Sequence, residues 1–147
     1  MRLTQYTDYA LRVLIHLALK PDQLSTIREI SAAYEISQNH LMKVVQRLSQ
    51  LGYVDSRRGR GGGLSLKREP GRIVVGQVVR DMEPDFGLVE CFRPDNACVI
   101  TGACVLPRAL RQAVGAFLSE LDNYTLADLV PEDRRGEMAL RLRIDPS

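Results

Sequence analysis

A chain of 147 residues, 45% of them hydrophobic and 26% charged, has room for one packed domain with an appendage, and this composition excludes wholesale disorder. No apolar run reaches the roughly 18 residues of a membrane span, and three cysteines are the wrong number for a disulfide framework. The net charge of +2 conceals a gradient, since residues 1–68 carry 11 Lys and Arg against 5 Asp and Glu while the remainder carries 9 against 13, so the front half is the part suited to a polyanion.

Apolar residues at helical spacing (Tyr6, Tyr9, Ala10, Val13, Leu14, Leu17) predict a first helix over 4–19. Arg12 and His16 interrupt its apolar run, and no small-residue cleavage site follows, so it reads as part of the fold rather than an export signal. The expected compartment is therefore a reducing cytoplasm. His16 is expected to be a packed or surface residue. A second helix opens at "TIRE", where Thr26 and Glu29 match the reciprocal capping box. After the tight connection "YEIS", Ser37 caps a third helix with Leu41, Val44, Val45, Leu48 and Leu51 as its buried stripe and Gly52 as its terminator. Two short alternating segments, "YVDSRR" and "GLSLKR", flank "GRGGG" and predict a β-hairpin. A short helix in "IVVGQVVRDMEP" ends at Pro84. A long one runs from Leu106 to Leu121, and a brief last helix is capped by Thr125. The charged segment 131–147 is expected to be loosely ordered. There is no internal repeat.

The expected fold class is mainly α with a small β-hairpin: a winged helix-turn-helix plus a long dimerisation helix. Residues 1–83 form the DNA-binding domain, 84–105 a cysteine loop, and 106–130 the dimerisation helix with the short helix after it. In this layout the second helix of the pair enters the major groove. Its exposed N-terminal side chains are Gln38, Asn39 and His40, with Lys43 one turn on. Arg57, Arg58 and Arg60 of the wing suit a narrow A·T-rich minor groove, and the adjoining glycines allow close approach to the backbone. Arg28, Ser37 and Gly61 complete the expected set of DNA contacts. The glycine-rich tip is not a nucleotide-phosphate loop, since it lacks the Gly-Lys-Ser/Thr ending and does not open a helix. The apolar stripe of the long helix calls for cover by a second copy, giving a homodimer with two reading heads. No nucleophile–base pair stands out, so an enzyme is not expected.

All three cysteines, Cys91, Cys98 and Cys104, fall in "ECFRPDNACVITGAC". Four readings stay open from the residues alone. A zinc site normally uses four ligands, often in paired knuckles. A thiol redox switch would use Cys104, which precedes a helix N-terminus. Three inert thiols fit poorly with confinement to one loop. An iron–sulfur cluster suits thiolates and tolerates one ligand that is not cysteine.

"MRLTQYTDYALR", "RRGRGGGLSL", "VGQVVRDMEP" and the three-cysteine loop, in this order, resemble the winged-helix iron–sulfur transcriptional repressors, most closely their nitric-oxide-sensitive branch. The likeness spans about 1–130. It implies a 2Fe–2S or 4Fe–4S cluster on Cys91, Cys98 and Cys104, a double-stranded DNA operator, nitric oxide as signal, and control of nitrosative-stress defence genes. Cluster-biogenesis members of the family carry a ligand histidine three residues after the third cysteine, where this chain has Pro107. The resemblance also implies Asp8, in "TDYALR", as the fourth ligand from the partner protomer. Its other role is to complement the dipole of its own helix. An iron–sulfur-status regulator and a zinc-stabilised DNA-binding or interaction module are the alternative functions.

Overall fold

The computed structural model describes residues 1–145. Its elements in chain order are α1 (Gln5–Leu19), α2 (Ile27–Tyr34), α3 (Gln38–Gln50), β1 (Val54–Arg57), β2 (Gly63–Leu66), α4 (Val75–Met82), α5 (Leu106–Leu121), α6 (Leu126–Leu129) and α7 (Glu132–Arg141), with one-turn 3-10 helices at Pro70–Arg72 and Glu90–Phe92. The expected architecture, mostly helical with a two-stranded antiparallel hairpin, is present. Among the described residues no helix is long and apolar enough to cross a membrane.

Helix starts follow their caps. Thr4 accepts from the Thr7 amide, Thr26 and Glu29 close the reciprocal box, and Ser37 accepts from the His40 amide at 3.2 Å. Between α2 and α3 the chain turns at Glu35, which is left-handed at φ +55°, while the Ser31 hydroxyl donates to the Ile36 carbonyl at 2.6 Å. Gly52 ends α3 at φ +77°.

The core gathers around α1, whose Ala10, Val13, Leu14 and Ala18 are fully buried. Ile30 of α2, Leu41, Val44 and Leu48 of α3, and Val54 and Leu64 of the hairpin belong to the same cluster. Roughly 1.5–3 kcal/mol per large side chain removed from water makes this cluster the dominant stabilising term. The register Val54↔Leu66 to Arg57↔Gly63 turns Val54 and Leu64 inward. Ser25 exchanges backbone hydrogen bonds with Leu64 (3.0 and 2.7 Å), so the wing is fixed to the segment before α2.

Helix α4 is strapped to the far end of α5. Arg80 holds Asp122 through two hydrogen bonds of 2.6 and 2.8 Å, and this keeps the carboxyl below the usual carboxylate range. The Asp122 side chain lies over Gly76, where an added Cβ would collide with its Oδ1. The Val75 amide donates to the Tyr124 carbonyl at 2.9 Å, and the Leu126 amide donates to Ile73 at 2.8 Å.

The expectation of loose order over 131–147 is corrected for the described part, 131–145. Glu132 and Asp133 in the first turn of α7 and Arg141 in its last complement the helix dipole, and Glu137 pairs with Arg141 at 2.8 Å. Met138, Ala139 and Leu142 pack on the core, Ile144 is buried, and Arg135 donates to the Ala18 carbonyl at 3.2 Å. Residues 146 and 147 lie outside the described residues.

His16 is packed between α1 and α2 and 2% exposed, and among the described residues neither ring nitrogen has a hydrogen-bond partner. Burial, assisted by Lys20, lowers its pKa from 6.5 to about 4. Because the unfolded chain binds the proton more tightly, stability is full above pH 6.5 and falls as pH drops towards 4. Urea melts of the wild type at pH 7 and pH 5 should differ by about 2 kcal/mol from this residue, and His16→Phe should abolish that part of the difference.

Candidate DNA interface and cysteine loop

The caps that start α3 leave its first turn facing outward. Gln38, Asn39, His40 and Lys43 are all exposed, opposite the buried stripe of Leu41, Val44, Val45 and Leu48. Helix α1 braces this face from behind. The Tyr6 hydroxyl donates to the Lys43 carbonyl at 3.1 Å, and the Tyr9 ring lies 6.3 Å from the His40 ring. Arg28 stands exposed in the first turn of α2, and the hydroxyl of Ser37 is committed to its capping role.

The wing projects beside α3. Gly59 and Gly61 take φ values of +92° and +76°, and a Cβ on Gly62 would collide with the Arg57 carbonyl, so the tip is as tight as glycine permits. Arg57 approaches Asp55 only at 3.9 Å. Among the described residues Arg58 and Arg60 make no hydrogen bond or ion pair, and both are exposed. Between wing and helix runs a groove of about 820 Å³ whose walls include Asn39, Met42, Lys43, Gln46, Ser56 and Arg58. Free cationic side chains on a groove beside a capped helix suit phosphate contacts with base reading between them. Met42, Gln46 and Ser56 are groove residues that the sequence reading passed over. The helical spacing from Asn39 to Met42 and Gln46 was the available signal.

The cysteine loop leaves α4 at Glu83 and enters α5. Cys91 and Cys104 are half-buried, Cys98 is exposed, and all three are free thiols. The loop braces itself locally. Asn96 Oδ1 accepts from the Cys98 amide (3.3 Å) and the Thr101 hydroxyl (2.7 Å), and Glu90 accepts from the Ala97 amide (3.1 Å). At the start of α5, the Leu106 amide donates to Cys104 Sγ at 3.4 Å. Among the described residues no three His, Cys, Asp or Glu side chains gather closely enough to hold a metal ion. The single chain thus brings the thiols into one loop without drawing them onto one point. Asp8 is bound through both oxygens to Arg12, at 3.2 Å to Nε and 2.9 Å to Nη2. By donor type, three free sulfurs, one of them accepting from the Leu106 amide, fit an iron–sulfur group.

Residues 3–132 match the Rrf2 family, described as "Iron-dependent Transcriptional regulator". The chain belongs to the Rrf2 family. It is 55% identical over 132 residues to the HTH-type transcriptional regulator NsrR of Bacillus subtilis, covering 88% of this chain and 90% of that one. It is 52% identical over 142 residues to the NsrR of Geobacillus kaustophilus, covering 95% and 96%. The solved structure of T. potens IscR shares the fold with a TM-score of 0.74 over 95% of this chain and 93% of that one, at 24% identity. As an Rrf2 regulator, this protein is a DNA-binding transcription factor with a winged-helix head.

Replacing Arg60 with Ala should weaken DNA binding and reduce the slope of log affinity against log salt by about 0.9, the share of one phosphate. Fluorescence anisotropy over a salt series reads both quantities, and an unchanged slope removes the wing tip from the interface.

Proposed function

We propose that this Rrf2 protein is a nitric-oxide-sensitive repressor of nitrosative-stress defence genes. It binds its operator as a homodimer, with an iron–sulfur cluster held by Cys91, Cys98 and Cys104 of one protomer and Asp8 of the partner subunit. One observation carries this reading: three free thiols occupy the loop that feeds α5, and α5 buries none of its residues within its own chain. Leu106 is 51% exposed, and Leu110, Val114, Phe117, Leu118 and Leu121 are only half-buried. A second copy of α5 packed along that stripe covers it and brings the two cysteine loops near the dimer axis. When bound, the cluster supplies thiolate-ligated iron with which nitric oxide reacts.

The chain's own residues define how the signal reaches DNA. A carboxylate is a harder ligand than a thiolate, so Asp8 is the least tenacious of the four ties. Free of that tie, Asp8 engages Arg12 fully, as it does here. The Arg12 guanidinium lies 5.8 Å from the ring centroids of both Tyr9 and Tyr34, and Tyr9 meets His40 on the reading helix. Drawing Asp8 away from Arg12 therefore alters the support behind α3 and the spacing of the two heads.

Protein purified without oxygen should contain iron and acid-labile sulfide in equal amounts, and nitric oxide should lower its operator affinity at least tenfold. Colourless, sulfide-free protein that binds DNA at full strength and ignores the gas overturns the proposal. Stoichiometric zinc overturns it in favour of a structural metal.

A further inference from the structure

Met42 is the one large apolar side chain of α3 that the fold leaves outside. Leu41, Val44, Val45 and Leu48 are at most 5% exposed, whereas Met42 is 54% exposed. It is placed three residues after Asn39 and four before Gln46, so the three side chains form one row along the helix. All three line the groove between α3 and the wing, with Lys43 and Arg58 on the same walls. Neither amide makes a hydrogen bond among the described residues. Amide, thioether and amide are thus presented together, unpartnered, on a surface whose charge suits a nucleic acid backbone.

The major-groove edge of an A·T pair is the complement of such a row. Adenine offers N7 as acceptor and N6 as donor, which a carboxamide matches bidentately, and thymine offers an apolar C5 methyl. A G·C pair has no methyl and gives an apolar side chain nothing to cover. The thioether is unbranched and polarizable, so it can close over a methyl group without a preformed pocket. Transfer of Met42 from water to that contact also accounts for an exposed apolar residue in the middle of a polar face.

We propose that Met42 is a specificity-determining residue that covers a thymine methyl in the major groove, while Asn39 or Gln46 takes an adenine beside it. The inference rests on α3 being the DNA-reading helix. It adds that reading here is partly hydrophobic and that each half-site contains an A·T pair under Met42.

Deoxyuridine in place of thymidine removes that methyl and nothing else. The probe is a duplex selected by the full-length protein, purified without oxygen, from a randomised pool, then resynthesised with deoxyuridine at each thymine in turn. For the wild type, one thymine in each half-site should be sensitive, with affinity falling about fourfold on loss of one methyl contact. With Met42→Ala the parent duplex should bind about as weakly as the wild type binds the sensitive deoxyuridine duplex, and the same substitution should then have no further effect. Because Met42 is exposed, matching thermal melts for the two proteins are expected and confirm that folding is intact. Firm binding to the parent duplex with no thymine whose effect vanishes in Met42→Ala overturns the role of Met42 and leaves the reading of α3 standing. Failure of the wild type to select any duplex overturns both.

Discussion

Glu83 ends α4, and its carboxylate accepts hydrogen bonds from the Thr4 amide, the Thr4 hydroxyl and the Thr7 hydroxyl. Few contacts in the molecule join so much. The same residue closes the last helix of the DNA-binding half, opens the cysteine loop, and fixes the first turn of α1 through Thr4 and Thr7, the latter next to Asp8. Thr7 is fully buried, and its hydroxyl is satisfied by this carboxylate together with the Thr4 hydroxyl at 3.1 Å. A carboxylate satisfying three donors at a helix start forms charge-assisted bonds and also complements the helix dipole. The place where the loop departs and the place where the candidate ligand Asp8 stands are therefore held in one frame. A shift of the loop at its root is a shift of α1.

Helix α1 passes such a shift on because it touches nearly everything. Its inner face is buried among α3, α4, α6 and the hairpin, and its outer face supports the reading helix through Tyr6 and Tyr9. The loop itself is less constrained. Val99 is 97% exposed and Ile100 55%, at the centre of the turn from Cys98 to Thr101, in a stretch that backbone, Asn96 and Glu90 hold together. A rigid head, a stiff transmitting helix and a loosely covered loop make a sensible division of labour for a sensor, since the responsive part belongs at the low end of local stability.

Most of the head could be read from the amino-acid order because its decisive interactions are local. Caps at Thr4, Thr26, Ser37 and Thr125 and the apolar stripes at helical spacing act over three or four residues, and these elements start where such signals place them. The segment 131–145 was illegible for the opposite reason. Its charge pattern resembles a solvated tail, and what secures it is Ile144 in the core and the reach of Arg135 to Ala18, contacts across more than a hundred positions. At the candidate site, the clustering of thiols was plain in the sequence, whereas the in-chain pairing of Asp8 with Arg12 and the groove row of Met42 and Gln46 needed the folded geometry. Helical spacing puts Met42 on the row of Asn39 and Gln46, but the groove itself exists only once the wing, with Ser56 and Arg58, is folded beside α3.

The close approach of Gly76 to Asp122 has an evolutionary corollary. Any side chain at 76 strikes the carboxylate, and any trimming at 122 leaves Arg80 without its mate. The two sites are therefore epistatic: shortening 122 removes the carboxylate clash but gives up the clasp between α4 and α5, and the 122 backbone amide, 3.0 Å from a Cβ at 76, still crowds the newcomer. Change at either site alone meets a clash or loses an ion pair, so the seam ties the two positions to each other.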